Sequence, residues 1–193
     1  MRRGRSGGGE GRIVARKFSL EDFAGLPISE AGELIRYQPV EHAVIYTPAG
    51  KCLYYVASRP GSPRQVTVPL WKSGLLRGNV FVHNHPESQS FSPEDVWILL
   101  REGAREIRAY GPERSFRMIA SGATRRFGYR DTVEGWAELH QAYWNAAAAS
   151  DMRFKRYVQA RLMTDAEAWV AQTHSVLRQL AARYRFTYQE IRS

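Results

Sequence analysis

Residues 78–86, Gly-Asn-Val-Phe-Val-His-Asn-His-Pro, and the segment Ser92-Pro93-Glu94-Asp95 constrain this chain more than any other feature. The first is a β-branched and aromatic run that reads as a strand. It must stop at Pro86, because proline has no N–H to give to a ladder. The second carries the marks of a helix start: Ser at the N-cap, Pro at the first helical position and an acid three residues after the cap. Only five residues separate Pro86 from Ser92. Strand end and helix start are therefore forced close together.

The rest of the first two thirds supplies partners for this unit. Ser29 opens a short helix that Pro39 ends. Residues 41–46 and 51–56 read as two strands around Thr47-Pro48-Ala49-Gly50. Pro60-Gly61-Ser62-Pro63 is a loop, and extended chain resumes at 66–68. The helix that starts at Ser92 runs to Gly103, and strands follow at 105–110 and 115–120, around Gly111-Pro112. Helices interleaved with strands predict an α/β (α+β) layered fold to about residue 131. Residues 1–12 are mostly Gly and Arg, with no core-forming run, and read as a flexible tail.

Residues 132–193 read as a helical C-terminal extension. Asp131 and Glu134 resemble a capping box. Trp136, Leu139, His140, Tyr143 and Trp144 share one helical face. Phe154, Tyr157, Val158 and Leu162 form a second stripe, and Thr164 with Glu167 opens a third helix. A break is expected at Ser150-Asp151. Arg153, Lys155, Arg156 and Arg161 accompany the apolar stripe, which suits partner docking.

The chemistry is concentrated at His83-Asn84-His85-Pro86. Histidines at i and i+2 on a strand face the same way, so both imidazoles can reach one metal. Asp95, in the first turn of the next helix, can add an oxygen ligand. Catalytic zinc takes three protein ligands and leaves a position for water, whose pKa it lowers. Glu41 starts a strand that can lie beside that of His83, which makes it the candidate general base. Ser92 can donate to an oxyanion. His42 points away from Glu41 and is read as structural. His140 and His174 are read as packing or surface residues, and Cys52 as a buried small hydrophobe.

This arrangement, Glu41 upstream of His83-x-His85-Pro86 and Ser92-x-x-Asp95, resembles the JAMM (JAB1/MPN+) metalloprotease family, closest in wording to its bacterial RadC-type branch. The resemblance covers roughly residues 28–120. It implies an MPN/JAB-like curved mixed sheet flanked by helices, spanning 13–131. It implies one zinc ion on His83, His85 and Asp95, with Glu41 activating water and Ser92 steadying the intermediate. The expected activity is hydrolysis of a peptide or isopeptide bond in a protein or ubiquitin-like conjugate. Two other readings are a RadC-like DNA-associated factor and a non-catalytic interaction module on the same fold.

Composition bears on these readings. The net charge of +9 favours a nucleic-acid partner, but it is spread along the chain. Residues 1–40 carry 7 basic and 5 acidic side chains, 41–131 carry 13 and 8, and 132–193 carry 8 and 6. No run approaches the roughly 20 apolar residues of a membrane helix. One cysteine, no signal-peptide pattern and the family resemblance lead to the expectation of a cytoplasmic protein of bacterial or phage origin.

Overall fold

The structure is a computed structural model that describes residues 16–58, 66–128 and 130–191. The expected Gly/Arg-rich tail and the loop at Pro60-Gly61-Ser62-Pro63 lie outside the described residues. The strands are β1 (His42–Tyr46), β2 (Cys52–Ala57), β3 (Val80–Asn84), β4 (Glu106–Tyr110), β5 (Ser115–Ile119) and β6 (Thr187–Ile191). The helices are α1 (Ile28–Ile35), α2 (Pro93–Trp97), α3 (Thr132–Gln159) and α4 (Asp165–Tyr184). The fold is mixed α/β, as expected.

The six strands form one sheet in the order β2-β1-β3-β4-β5-β6. β3 and β4 run parallel, and the other neighbours are antiparallel. The parallel pair needs a crossover, and α2 provides it. α2 continues as one π turn, Ile98–Glu102, and stops at Gly103, whose φ of 77° lies in the left-handed region that glycine adopts without strain.

Strand alternation sorts the core into two layers. Ala43, Ile45, Phe81, Ile107, Phe116 and Met118 face α2, α3 and α4. Val44, Tyr46, Val80, Val82 and Tyr110 face α1 and the 3-10 turn at Leu20–Phe23. Both faces of β1 and β3 are covered, which is why these strands read as nearly unbroken apolar runs. α1 lies close because Gly32 has no side chain: a Cβ there would sit 2.2 Å from the Tyr110 ring.

The C-terminal third departs from expectation at three points. α3 runs unbroken through Ser150-Asp151. The Ser150 hydroxyl donates back to the carbonyls of Ala146 and Ala147 at 2.9 and 3.0 Å, so it is satisfied inside the helix, and the alanines before it favour continuation. The Asp131 carboxylate accepts from Gly128 N–H at 2.9 Å instead of capping α3. The chain then ends in a strand: β6 pairs with β5, with Met118 opposite Tyr188. The Thr164–Glu167 capping box forms as expected.

The buried face of α3 is Leu139, Ala142, Ala146 and Phe154, rather than the full aromatic stripe, and Trp144 is exposed. Leu139, Leu177, Leu180 and Tyr184 pack in the same cluster as Phe81 and Ile107. Cys52 is half-buried, not fully buried. No helix among the described residues is long and apolar enough to cross a membrane.

Candidate metal centre

His83 and His85 stand at the C-terminal end of β3, on the face covered by α2. The His85 N–H donates to the Tyr110 carbonyl at 2.9 Å, extending the β3–β4 pairing one step past the strand. The chain then turns, and the Gln89 carbonyl lies 2.7 Å from His85 Nδ1. A carbonyl only accepts, so Nδ1 carries the proton and Nε2 is left with a bare lone pair. This is the outer-shell contact that orients a metal-binding imidazole.

Asp95 is delivered by the capping box of α2. Its Oδ2 accepts from Ser92 N–H at 2.8 Å and from the Ser92 hydroxyl at 2.9 Å, while Asp95 N–H donates back to Ser92 Oγ. Those bonds hold one carboxylate oxygen. The other, Oδ1, faces His83 Nε2 at 3.3 Å. Capping thus occupies one oxygen of the carboxylate and leaves the other facing the histidine.

The three side chains converge. Donor atoms of His83, His85 and Asp95, all buried, lie within 4.8 Å of one another and could hold a metal ion. His83 Nε2 is 2.9 Å from His85 Nε2, and His85 Nε2 is 3.8 Å from Asp95 Oδ2. A tetrahedral zinc ion with bonds of about 2.0–2.1 Å sets its donors about 3.3 Å apart. The His83 Nε2 spacings, 2.9 Å to His85 Nε2 and 3.3 Å to Asp95 Oδ1, lie near that value. His83 Nδ1 is buried with no partner. Burial pushes His83 down to about 4, against the opposing pull of the Asp95 carboxylate, so its imidazole is neutral at pH 7. Neutral imidazole is the form that binds metal. The residues present fit such an ion.

Glu41 immediately precedes β1. The β1–β3 ladder runs from Tyr46↔Val80 to Ala43↔His83, and the strands part there. Glu41 Oε2 accepts from Val66 N–H at 2.8 Å, and Oε1 lies 3.5 Å from His85 Nε2. Burial, with the Asp95 carboxylate nearby, raises Glu41 to about 8. A cation at the histidines would draw its proton off again.

A cavity of about 800 Å³ is lined by all five residues singled out in the sequence: Glu41, His83, His85, Ser92 and Asp95. Phe81, Val66 and Ile98 supply apolar wall. His42 faces the other layer, where its Nδ1 meets Tyr55 OH at 2.8 Å. His140 packs against Trp136. His174 does more than pack, because its Nδ1 lies 2.5 Å from Tyr188 OH, which is 2.9 Å from Ser90 Oγ at the cavity rim.

Several contributors escaped the sequence reading. Asn84 holds the segment before β1, and its signal was available: a polar residue on the otherwise apolar layer of Val80 and Val82 must find partners. Val66 N–H and Gln89 C=O act through the backbone, which no residue type advertises. Tyr188 arrives on a strand that had been read as helix. Comparison with protein-family models, curated proteins and solved structures gave no match.

Proposed function

We propose that this chain is a zinc-dependent hydrolase of amide bonds, a metallopeptidase or isopeptidase of the JAMM type. Its substrate on this reading is a protein or peptide, including ubiquitin-like conjugates. One observation carries the reading: the ligand atoms of His83, His85 and Asp95 converge in a cavity that also holds the largely buried carboxylate of Glu41, 3.5 Å from His85. The resemblance of the sequence motif supports the same assignment.

In this proposal His83 Nε2, His85 Nε2 and Asp95 Oδ1 hold the ion. When bound, zinc supplies Lewis acidity, polarising an amide carbonyl and lowering the pKa of water at the site towards neutrality. Glu41, fixed by Val66 N–H, takes a proton from the attacking water. Water oxygen bonds to the carbonyl carbon, the C–N bond breaks, and Glu41 passes the proton to the leaving nitrogen. Ser92 lines the same cavity, but its hydroxyl hydrogen is given to Asp95. Donation to an oxyanion requires that bond to open as charge develops.

The test is metal analysis of the purified full chain, joined to hydrolysis of a fluorescence-quenched peptide library and of lysine-linked ubiquitin dimers. One zinc per chain, with cleavage stopped by a chelator and by His83→Ala, is the expected result. A protein that takes up no zinc overturns the proposal.

A further inference from the structure

A second cavity, of about 580 Å³, lies between α3 and α4. Arg153 and Phe154 line it from α3, and His174, Ser175, Arg178 and Gln179 line it from α4. The α4 positions recur at three- and four-residue spacing, so they present one continuous helical face. No carboxylate lines this cavity. Its polar wall is two guanidiniums, a hydroxyl, an amide and an imidazole.

The two guanidiniums meet at this cavity with no carboxylate in its lining. Arg125, Lys155 and Arg183 each pair with a carboxylate. Arg153 and Arg178 have no such partner among the described residues. Arg153 is nevertheless held in place: its guanidinium carbon sits 4.6 Å over the Phe154 ring, and Nη2 reaches across to Ser175 Oγ at 3.5 Å. Ordering a cation without neutralising it costs side-chain entropy that an anionic ligand repays.

The floor of the cavity gives a second observation. His174 lines it, and the His174 Nδ1–Tyr188 OH–Ser90 Oγ chain ends at the rim of the metal cavity. That chain links the lining of the two cavities. His174 Nε2 is buried without a partner.

We propose that this cavity is a second binding site, for an oxyanion of the phosphate type, held by Arg153 and Arg178 with Ser175 and Gln179 donating hydrogen bonds. Donors on two helices surround a tetrahedral dianion better than a planar carboxylate, which is satisfied by one forked guanidinium. The site does not depend on the metal reading, because none of its residues is a candidate ligand.

The test is calorimetric titration of the full chain with inorganic phosphate at fixed ionic strength, with chloride as the matched control. A second arm uses a short single-stranded oligonucleotide, which carries the same group as a phosphodiester. Saturable phosphate binding at one site per chain is expected. Arg153→Gln and Arg178→Gln each weaken it about tenfold or more, whereas Arg156→Gln, an exposed cation outside the cavity, leaves it unchanged. Both cavity arginines are exposed, so the variants keep the fold. Oligonucleotide binding that phosphate competes away, and that both variants lose, identifies the source as a nucleic-acid backbone. Phosphate binding without oligonucleotide binding identifies a free phosphate or monoester. Absence of saturable binding by either anion, or binding undiminished in the double variant, overturns the proposal.

Discussion

Asn84 Oδ1 accepts a hydrogen bond from the backbone N–H of His42 at 2.7 Å. The bond sits where the β1–β3 ladder ends, one residue past Ala43↔His83, and stands in for the next backbone rung. The same side chain donates from Nδ2 to the carbonyls of Gln38 and Val40 at 3.2 and 3.1 Å. Asn84 is fully buried between the two histidines in sequence, yet it faces the opposite layer. It therefore ties down the segment that carries Glu41 from the face opposite the two histidine side chains.

That geometry separates positioning from ligation. Asn84→Ala strands buried backbone groups and should cost about 1–3 kcal/mol of stability. Zinc content should stay near one per chain while hydrolysis falls, because Glu41 loses its anchor. Asn84→Asp keeps the acceptor but loses both donated bonds, so it should fall between Asn84→Ala and the parent. Zinc loss from a folded Asn84→Ala protein would show that Asn84 serves the ligands instead.

Removing a ligand should empty the centre. His83→Ala, His85→Ala and Asp95→Ala each leave two of the three donors that converge, and zinc stoichiometry should drop well below one. Chelation of the parent should lower its melting temperature, since an ion that binds only the folded chain stabilises it. Unchanged zinc content in all three variants would remove the ligand assignment.

Glu41→Gln keeps an oxygen that can accept from Val66 N–H but cannot take a proton. Zinc should be retained and turnover should fall by roughly 10²–10⁴-fold, the range general-base catalysis supplies. Turnover equal to the parent would exclude Glu41 as the base.

Ser92 makes two kinds of contribution that substitution can divide. Ser92→Ala loses the cap of α2 and should cost about 0.5–2 kcal/mol. It also frees Asp95 Oδ2 from one of its two donors. Ser92→Thr keeps the hydroxyl and should restore stability and turnover together. Ser92→Asn should recover the cap alone, and full activity in that variant would mark Ser92 as purely structural.

The pH dependence of stability has a defined sign. Burial pushes His42 down to about 4, below the ordinary value of about 6.5. The unfolded chain therefore takes up that proton more readily, and the contribution is intact above pH 6.5 and lost as pH falls towards 4. Burial lowers His174 as well, which acts in the same sense. Glu41, raised to about 8, acts in the opposite sense, so the readout is the difference: in thermal melts of chelated protein, stability should fall less, or rise more, between pH 6.5 and 4 in His42→Gln than in the parent. An identical slope in that variant would assign the effect elsewhere.

Local sequence determined a large part of this molecule. The i, i+2 spacing of His83 and His85 put both on one face of β3, and the Ser92-Pro93-Glu94-Asp95 start fixed Asp95 in the first turn of α2. A five-residue connection then left those ends nowhere to go but together. These are short-range geometries, set by strand alternation and helix capping, and they are readable from a window of about a dozen residues. Tertiary structure decided the rest. Glu41 reaches His85 only because β1 pairs with β3 in one register, held at its end by Asn84 across 42 residues of sequence. Residues 187–191 carry a weak local pattern and become a strand because β5 offers an unpaired edge beside them. Ser150-Asp151 reads as a break locally, but that turn of α3 packs against α4, with Gln172 donating to the Ala147 carbonyl at 3.0 Å. Pairing partners, register and backbone donors belong to the assembled sheet and helices. Residue type alone does not encode them, because the same side chain serves either outcome until its neighbour arrives.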